Sequence, residues 1–275
     1  MSPSIPIRRW LHVAAGCIVL AAAGVAPAAA QDATDAETAG DNTALLDTSA
    51  VVTPEAQEVL DRMTATLKSM RQYSVTASIT RDEVLAFGYK LQNTESARMW
   101  VDAPKHLRME VAGDIKNRTY VYDGAQLTMF APDLNVYAET SAPGTIGELV
   151  GMLLDAGVEM PLIDLLYHGN TGSLTEDVRV GLVAGESEVD GVATDHLAFR
   201  QPQVDWQLWV EKGKQALPRK LLITTRYQVG DPQYQATLRW DLKPTFNAKS
   251  FVFAPPAGAT KIPYNNPLAA DGGDK

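Results

Sequence analysis

Catalysis or metal binding would need histidines, carboxylates or a nucleophile brought together. Residues 31–275 hold only three histidines, His106, His168 and His196, and no cysteine. Asp164 and His168 stand four apart, a spacing that presents two ligands on one helix face, but a zinc-type site takes three or four. Neither His106 nor His196 falls beside them, so no metal is expected, and His168 reads as a solvated helix end where its charge suits the C-terminal dipole. Asp195-His196 suggests a triad, yet adjacent strand residues point to opposite faces. Gly185-Glu186-Ser187-Glu188 lacks the second glycine of a nucleophile elbow, and Asp190-Gly191 after it reads as a turn. Asp82-Glu83 has the composition of a glycosidase acid pair but reads as an exposed turn. With no glycine-rich phosphate loop and no cofactor pattern, the chain reads as a non-enzyme.

The elements that would position a site centre on residues 143–168, the one strongly apolar, helix-patterned stretch among strands. Thr145 and Glu148 make a T-x-x-E capping box, in which hydroxyl and carboxylate each take up an orphaned backbone N–H. Ile146, Leu149, Val150 and Leu153 then recur as one apolar stripe. Pro161 suits the first turn of a second short helix, and Leu162, Leu165 and Leu166 continue the spacing. Before this pair, Thr53 and Pro54 begin an amphipathic helix with Ala56, Val59, Leu60, Met63, Leu67 and Met70 on one face.

Elsewhere the period is two. Tyr73, Val75, Ala77 and Ile79 alternate with polar residues, and Leu91–Val101 and Leu107–Val111 continue as strands. Asp123-Gly124 and Asp190-Gly191 read as two-residue hairpin turns with positive φ. Strands follow near 136–138, 178–183, 195–200, 206–210, 221–226 and 236–242, with Phe251-Val252-Phe253 a last short one. About ten antiparallel strands in a meander must curl to bury their apolar face. The expected fold is mainly β with helices (α+β): a curved antiparallel sheet forming a half-open barrel, with an N-terminal amphipathic helix and a central helical lid. Trp206, Leu208, Val210, Leu238 and Trp240 are the expected lining of its concave face, met by Leu149, Met152, Leu153, Leu165 and Leu166 of the lid. Such positions are core by default; the supply of lid residues, including the adaptable Met152, points to a ligand cavity.

Residues 1–30 carry Arg8 and Arg9, an apolar run from Val13 to Val25, and Ala28-Ala29-Ala30, the pattern of a secretory signal peptide cleaved after Ala30. The run is too short for a spanning helix. Cys17 after Ala14-Ala15-Gly16 weakly resembles a lipidation site, but most of the apolar run follows it. Residues 31–52, acidic with no basic residue, read as a disordered leader, residues 53–262 as one domain, and 263–275 as a flexible tail. Loss of Arg8 and Arg9 takes the formal charge from −9 to −11, which argues against nucleic acid and anionic lipid surfaces as partners.

Several segments together carry a family resemblance: YSVTASITRDEV, RMWVDAPKHLRMEV, YVYDGAQLTMF, EVDGVATDHLAFRQPQVDWQLWVE, PRKLLITT and FVFAPPAGA. Across residues 53–262 the chain resembles a bacterial family of predicted periplasmic proteins of unknown function, itself similar to the LolA/LolB-like envelope proteins with an open half-barrel and helical lid. The resemblance implies a periplasmic protein whose apolar cavity holds a hydrophobic ligand such as the acyl chains of a lipoprotein or lipid, as a carrier or chaperone. The alternative is an envelope sensor or interaction module with a plugged barrel, for which Trp209, on the outer strand face, is the expected partner contact.

Overall fold

The computed structural model describes residues 51–142, 144–156, 161–171 and 174–264. The expected signal peptide, the expected leader up to residue 50 and the expected tail from residue 265 lie outside them. Three helices and thirteen strands follow in chain order: β1 (Val51–Val52), α1 (Pro54–Ser69), β2 (Gln72–Val84), β3 (Lys90–Asp102), β4 (His106–Gly113), β5 (Arg118–Tyr122), β6 (Gln126–Ala131), β7 (Val136–Ser141), α2 (Ile146–Asp155), α3 (Pro161–Thr171), β8 (Val180–Val189), β9 (Val192–Arg200), β10 (Val204–Glu211), β11 (Pro218–Thr225), β12 (Gln233–Asp241) and β13 (Thr260–Lys261).

All the strands join one open sheet in the order β1-β8-β9-β10-β11-β12-β2-β3-β4-β5-β6-β7-β13. The long strands are antiparallel, and only the two-residue edge strands β1 and β13 pair in parallel. Register lays apolar partners opposite one another on one face: Trp206 opposite Phe199, Leu208 opposite both Leu197 and Leu221, Leu238 opposite Ala77, and Met99 opposite Met109. Such pairing is the unit of sheet stability. A one-residue slip would turn this set outward.

The helices lie on that face. Thr53 Oγ1 accepts the amide of Ala56 and starts α1, whose buried stripe is Ala56, Val59, Leu60, Met63 and Leu67. This helix packs against α3 and β8. Thr145 Oγ1 accepts the amide of Glu148 to cap α2, while the Glu148 carboxylate accepts the Thr145 hydroxyl at 2.7 Å rather than a backbone amide. The start of α2 is fixed to the β3–β4 turn by Ile146 N–H donating to the Pro104 carbonyl. Leu149, Val150 and Leu153 of α2 and Leu162, Ile163, Leu165 and Leu166 of α3 are all buried in the same cluster as the sheet face. Consecutive buried positions mean that α3 is covered on more than one side, as an interior helix is. The central pair is therefore part of the core and not only a cover.

Several expectations change at the ends of elements. Val51 and Val52, read as the end of the leader, extend the sheet beside Val180 and Gly181. The close approach needs a glycine, since a Cβ at Gly181 would come within 2.7 Å of the Phe199 ring. Phe251 ends a short 3₁₀ turn (Ala248–Phe251) instead of opening a strand, and a capping box between Asn247 and Ser250 holds it. Asp190 and Gly191 both have positive φ, as a two-residue turn requires. At Asp123-Gly124 only the glycine does, because Asp123 Oδ1 takes the amides of Ala125 and Gln126 and the loop is longer. Asp82 and Glu83 stand in β2, not in a turn. Asp82 pairs with Lys90 at 3.0 Å, and Glu83 accepts a hydrogen bond from Asn93.

Candidate ligand-binding site

A partly open cavity of about 170 Å³, its wall more apolar than polar, lies where the C-terminal end of α1, the first turns of α2, the middle of α3 and strands β3 and β4 meet. Leu67 and Met70 come from α1 and the residue after it, Met99, Val101 and Leu107 from the sheet, and Ile146, Gly147 and Val150 from α2. Ile163, Leu166 and Tyr167 close it from α3, and Tyr73 contributes its ring from β2. A space of ~150 Å³ takes a benzene-sized guest, so this one has room for a hydrocarbon segment of about six carbons. That is smaller than the roughly 300 Å³ at which ordinary ligand pockets begin.

Of the ten residues expected to line a ligand cavity, Leu166 lines this one. Trp206, Leu208, Val210 and Leu238 are buried on the inner sheet face, with Trp206 stacked on Phe199 at 3.9 Å between centroids. Leu149, Leu153 and Leu165 are buried in that core, and Met152 and Trp240 are half-buried against it. Trp240 comes close to the cavity wall, 5.6 Å from the Tyr73 ring, with its indole N–H donating to the Pro218 carbonyl. The cavity meets the edge of α2 that carries Ile146, Gly147 and Val150, while Leu149 and Leu153 pack into the core beside it. Periodicity selects the buried stripe of a helix; it does not tell which edge of the stripe is left incompletely packed.

The outer face holds a second difference. Trp209, expected to be an exposed contact for a partner, is only 8 % exposed. His196, its cross-strand neighbour, stacks on it at 4.2 Å, and Lys220 from the other side lies 4.6 Å over the ring. Alternation placed Trp209 on the correct face, but its neighbours cover it. Asp195 points to the opposite face from His196, as expected, and meets Arg62 of α1 at 3.0 Å. The His196 ring bonds Gln207 instead of a carboxylate. His106 lies beside Asp102 and Phe251. The side chain of Asp164 lies outside the described residues. Among the described residues no group of three or more His, Cys, Asp or Glu converges on one point, and no helix is long and apolar enough to cross a membrane.

His168 is buried in α3, not solvated, and burial pushes its pKa below the ordinary histidine value of 6.5. The unfolded chain then takes up this proton first. Stability is therefore complete above pH 6.5 and falls as the pH drops from there through the lower folded-state value. Urea midpoints at pH 7.5 and 5.5 should show a loss that shrinks in a His168→Gln variant. An equal loss in both proteins would place the sensitive group elsewhere.

The family model described as "Predicted periplasmic protein (DUF2092)" matches residues 56–265, and the chain belongs to that family. Among curated proteins there is no significant match. Similar solved structures include an uncharacterized conserved protein from Thermus thermophilus, at 12% identity and TM-score 0.44 over 76% of this chain and 99% of that one. LprF from Mycobacterium bovis is 16% identical, with a TM-score of 0.41 over 70% of this chain and 96% of that one. A LolA superfamily protein, NE2245 from Nitrosomonas europaea, is 10% identical, with a TM-score of 0.34 over 72% of this chain and 97% of that one. Scores this low say nothing of what this chain binds.

Proposed function

We propose, from the premise that the chain is a member of this predicted periplasmic family, that it binds a hydrophobic ligand in the periplasm after cleavage behind Ala30. The single domain at residues 53–262 would hold an acyl chain of a lipid or lipoprotein, as a carrier or chaperone. The observation that supports this is the cavity between α1, α2, α3 and the sheet, with a wall more apolar than polar and exposed residues at its mouth. Each methylene moved from water into it contributes about 0.8 kcal/mol. About six therefore give ~5 kcal/mol before the cost of association. A longer chain would need α2 and α3 to move apart, with opening of this pair as the gate. On this reading Leu149, Met152, Leu153, Leu165 and Leu166 of the pair, with Trp206, Leu208, Val210, Leu238 and Trp240 below, would line the widened space.

The burial of α3 favours a second reading, a filled barrel that acts as an envelope interaction module. The two differ in uptake. A fluorescent fatty acid such as cis-parinarate should gain emission on mixing with the protein. Gly147→Phe should weaken that uptake at least ~10-fold, since a Cβ there meets Tyr167 at an ordinary 3.6 Å and the ring would occupy the cavity. No uptake by the unaltered protein, or full uptake by a folded Gly147→Phe variant, would favour the filled barrel.

A further inference from the structure

The cavity on which the proposed function rests has a charged mouth. Among the described residues, Lys68 and Arg71, both exposed, are the charged residues that line it, and no carboxylate does. Elsewhere, Arg62 of α1 and the strand residues Lys90, Arg200 and Arg219 are each held by a carboxylate. Among the described residues, Lys68 and Arg71 have neither an ion pair nor a side-chain hydrogen bond. The nearby acids are engaged elsewhere. Asp102 takes the Gln72 amide and faces His106, and Glu148 takes the Thr145 hydroxyl. Lys68 also stands in the last turn of α1, where any cation suits the helix dipole. That accounts for Lys68 alone; it explains neither Arg71 nor why, in a chain of formal charge −9, the described charged residues of the mouth are both cations. Tyr73 adds a neutral phenol to the same wall, and burial pushes its pKa up to about 12, so it stays protonated.

We infer that the cavity takes a single-chain amphiphile with an anionic head, its tail among Met99, Val101, Leu107 and Ile163 and its carboxylate or phosphate against Lys68 and Arg71. An apolar tail gives affinity without selecting a head. Two unpaired cations at the mouth select the sign, since their N–H groups bond an anionic carboxylate or phosphate more strongly than a neutral alcohol and repel an ammonium.

The test compares octanol, octanoate, octyl phosphate and octyltrimethylammonium on the full-length mature protein by calorimetry at low salt, one tail with four heads. Octanoate or octyl phosphate should bind about tenfold more tightly than octanol, the scale of one charge-assisted hydrogen bond, and the ammonium more weakly than octanol. Whichever anion binds more tightly assigns the head as carboxylate or phosphate. In a Lys68→Gln/Arg71→Gln variant the ratio of anion to octanol affinity should fall to about one, and added salt should lower it in the unaltered protein. Equal binding of all four compounds would overturn the anionic assignment and leave the apolar cavity standing. Binding of none of them would overturn the proposed function itself.

Discussion

Leu149→Asp is expected to lower the unfolding free energy by more than ~4 kcal/mol, among the largest effects a single substitution produces, because it removes a buried apolar side chain and leaves a carboxylate without partners. Leu149 is fully buried and belongs to the same cluster as Leu153, Leu165 and the inner sheet face. Its helix also supplies Ile146, Gly147 and Val150 to the cavity wall, so ligand uptake should be lost with the docking of α2. Urea unfolding followed by tryptophan fluorescence reads the first effect, and fatty-acid uptake reads the second. If the helix pair is instead a freely detachable cover, the variant will keep its unfolding midpoint and lose only uptake. Unchanged stability together with unchanged uptake would contradict the placement of α2 in the core.

Trp206→Ala should cost about 3–5 kcal/mol, the range for deleting a large buried aromatic. The ring is 4 % exposed and stacks on Phe199 from the neighbouring strand. Because Trp206 lies away from the wall of the closed cavity, the folded fraction of the variant should bind hexanoate, short enough to leave α2 and α3 in place, with unaltered affinity. Thermal unfolding at several ligand concentrations separates the two quantities. A loss of affinity at full stability would move the ligand onto the β9–β10 region, against Trp206 itself.

The fold could be read from the chain because its local signals agree. Thr53-Pro54 and Thr145 each cap the helix expected of them, and the stripe from Ala56 to Leu67 is the buried face of α1. Alternation at Val75, Ala77 and Ile79, and at Trp206, Leu208 and Val210, gave both the strands and their inner faces. Ends were less legible, since hydrogen bonding extends a strand past its alternating residues. Val180–Val189 runs on through Gly185, Glu186 and Ser187, where a register shift and no apolar pattern mark the path.

The candidate site was legible only in part. Leu166 was expected at a ligand, but Met99, Val101 and Leu107 look like any inward strand residues, and Leu67 and Met70 like any helix stripe. What makes them a cavity wall is a packing defect between α1, α2 and α3, and packing depends on how three helices cross, which no spacing along the chain encodes. Lys68 and Arg71 gave no signal either, because a lysine near the end of an amphipathic helix has an ordinary role there. Trp209 shows the converse limit. Alternation gives the face of a residue, whereas its exposure depends on His196 and Lys220, which lie on neighbouring strands.

On the proposed function this chain carries an amphiphile with its apolar tail beneath the helices. The most direct measurement is native against denaturing mass spectrometry of the mature protein purified from its own periplasm. Extra mass in the native spectrum, released on denaturation as an amphiphile, is the expected result. A native spectrum of bare protein, with no uptake of a fluorescent fatty acid by the same sample, would contradict it and leave the filled barrel as the reading to pursue.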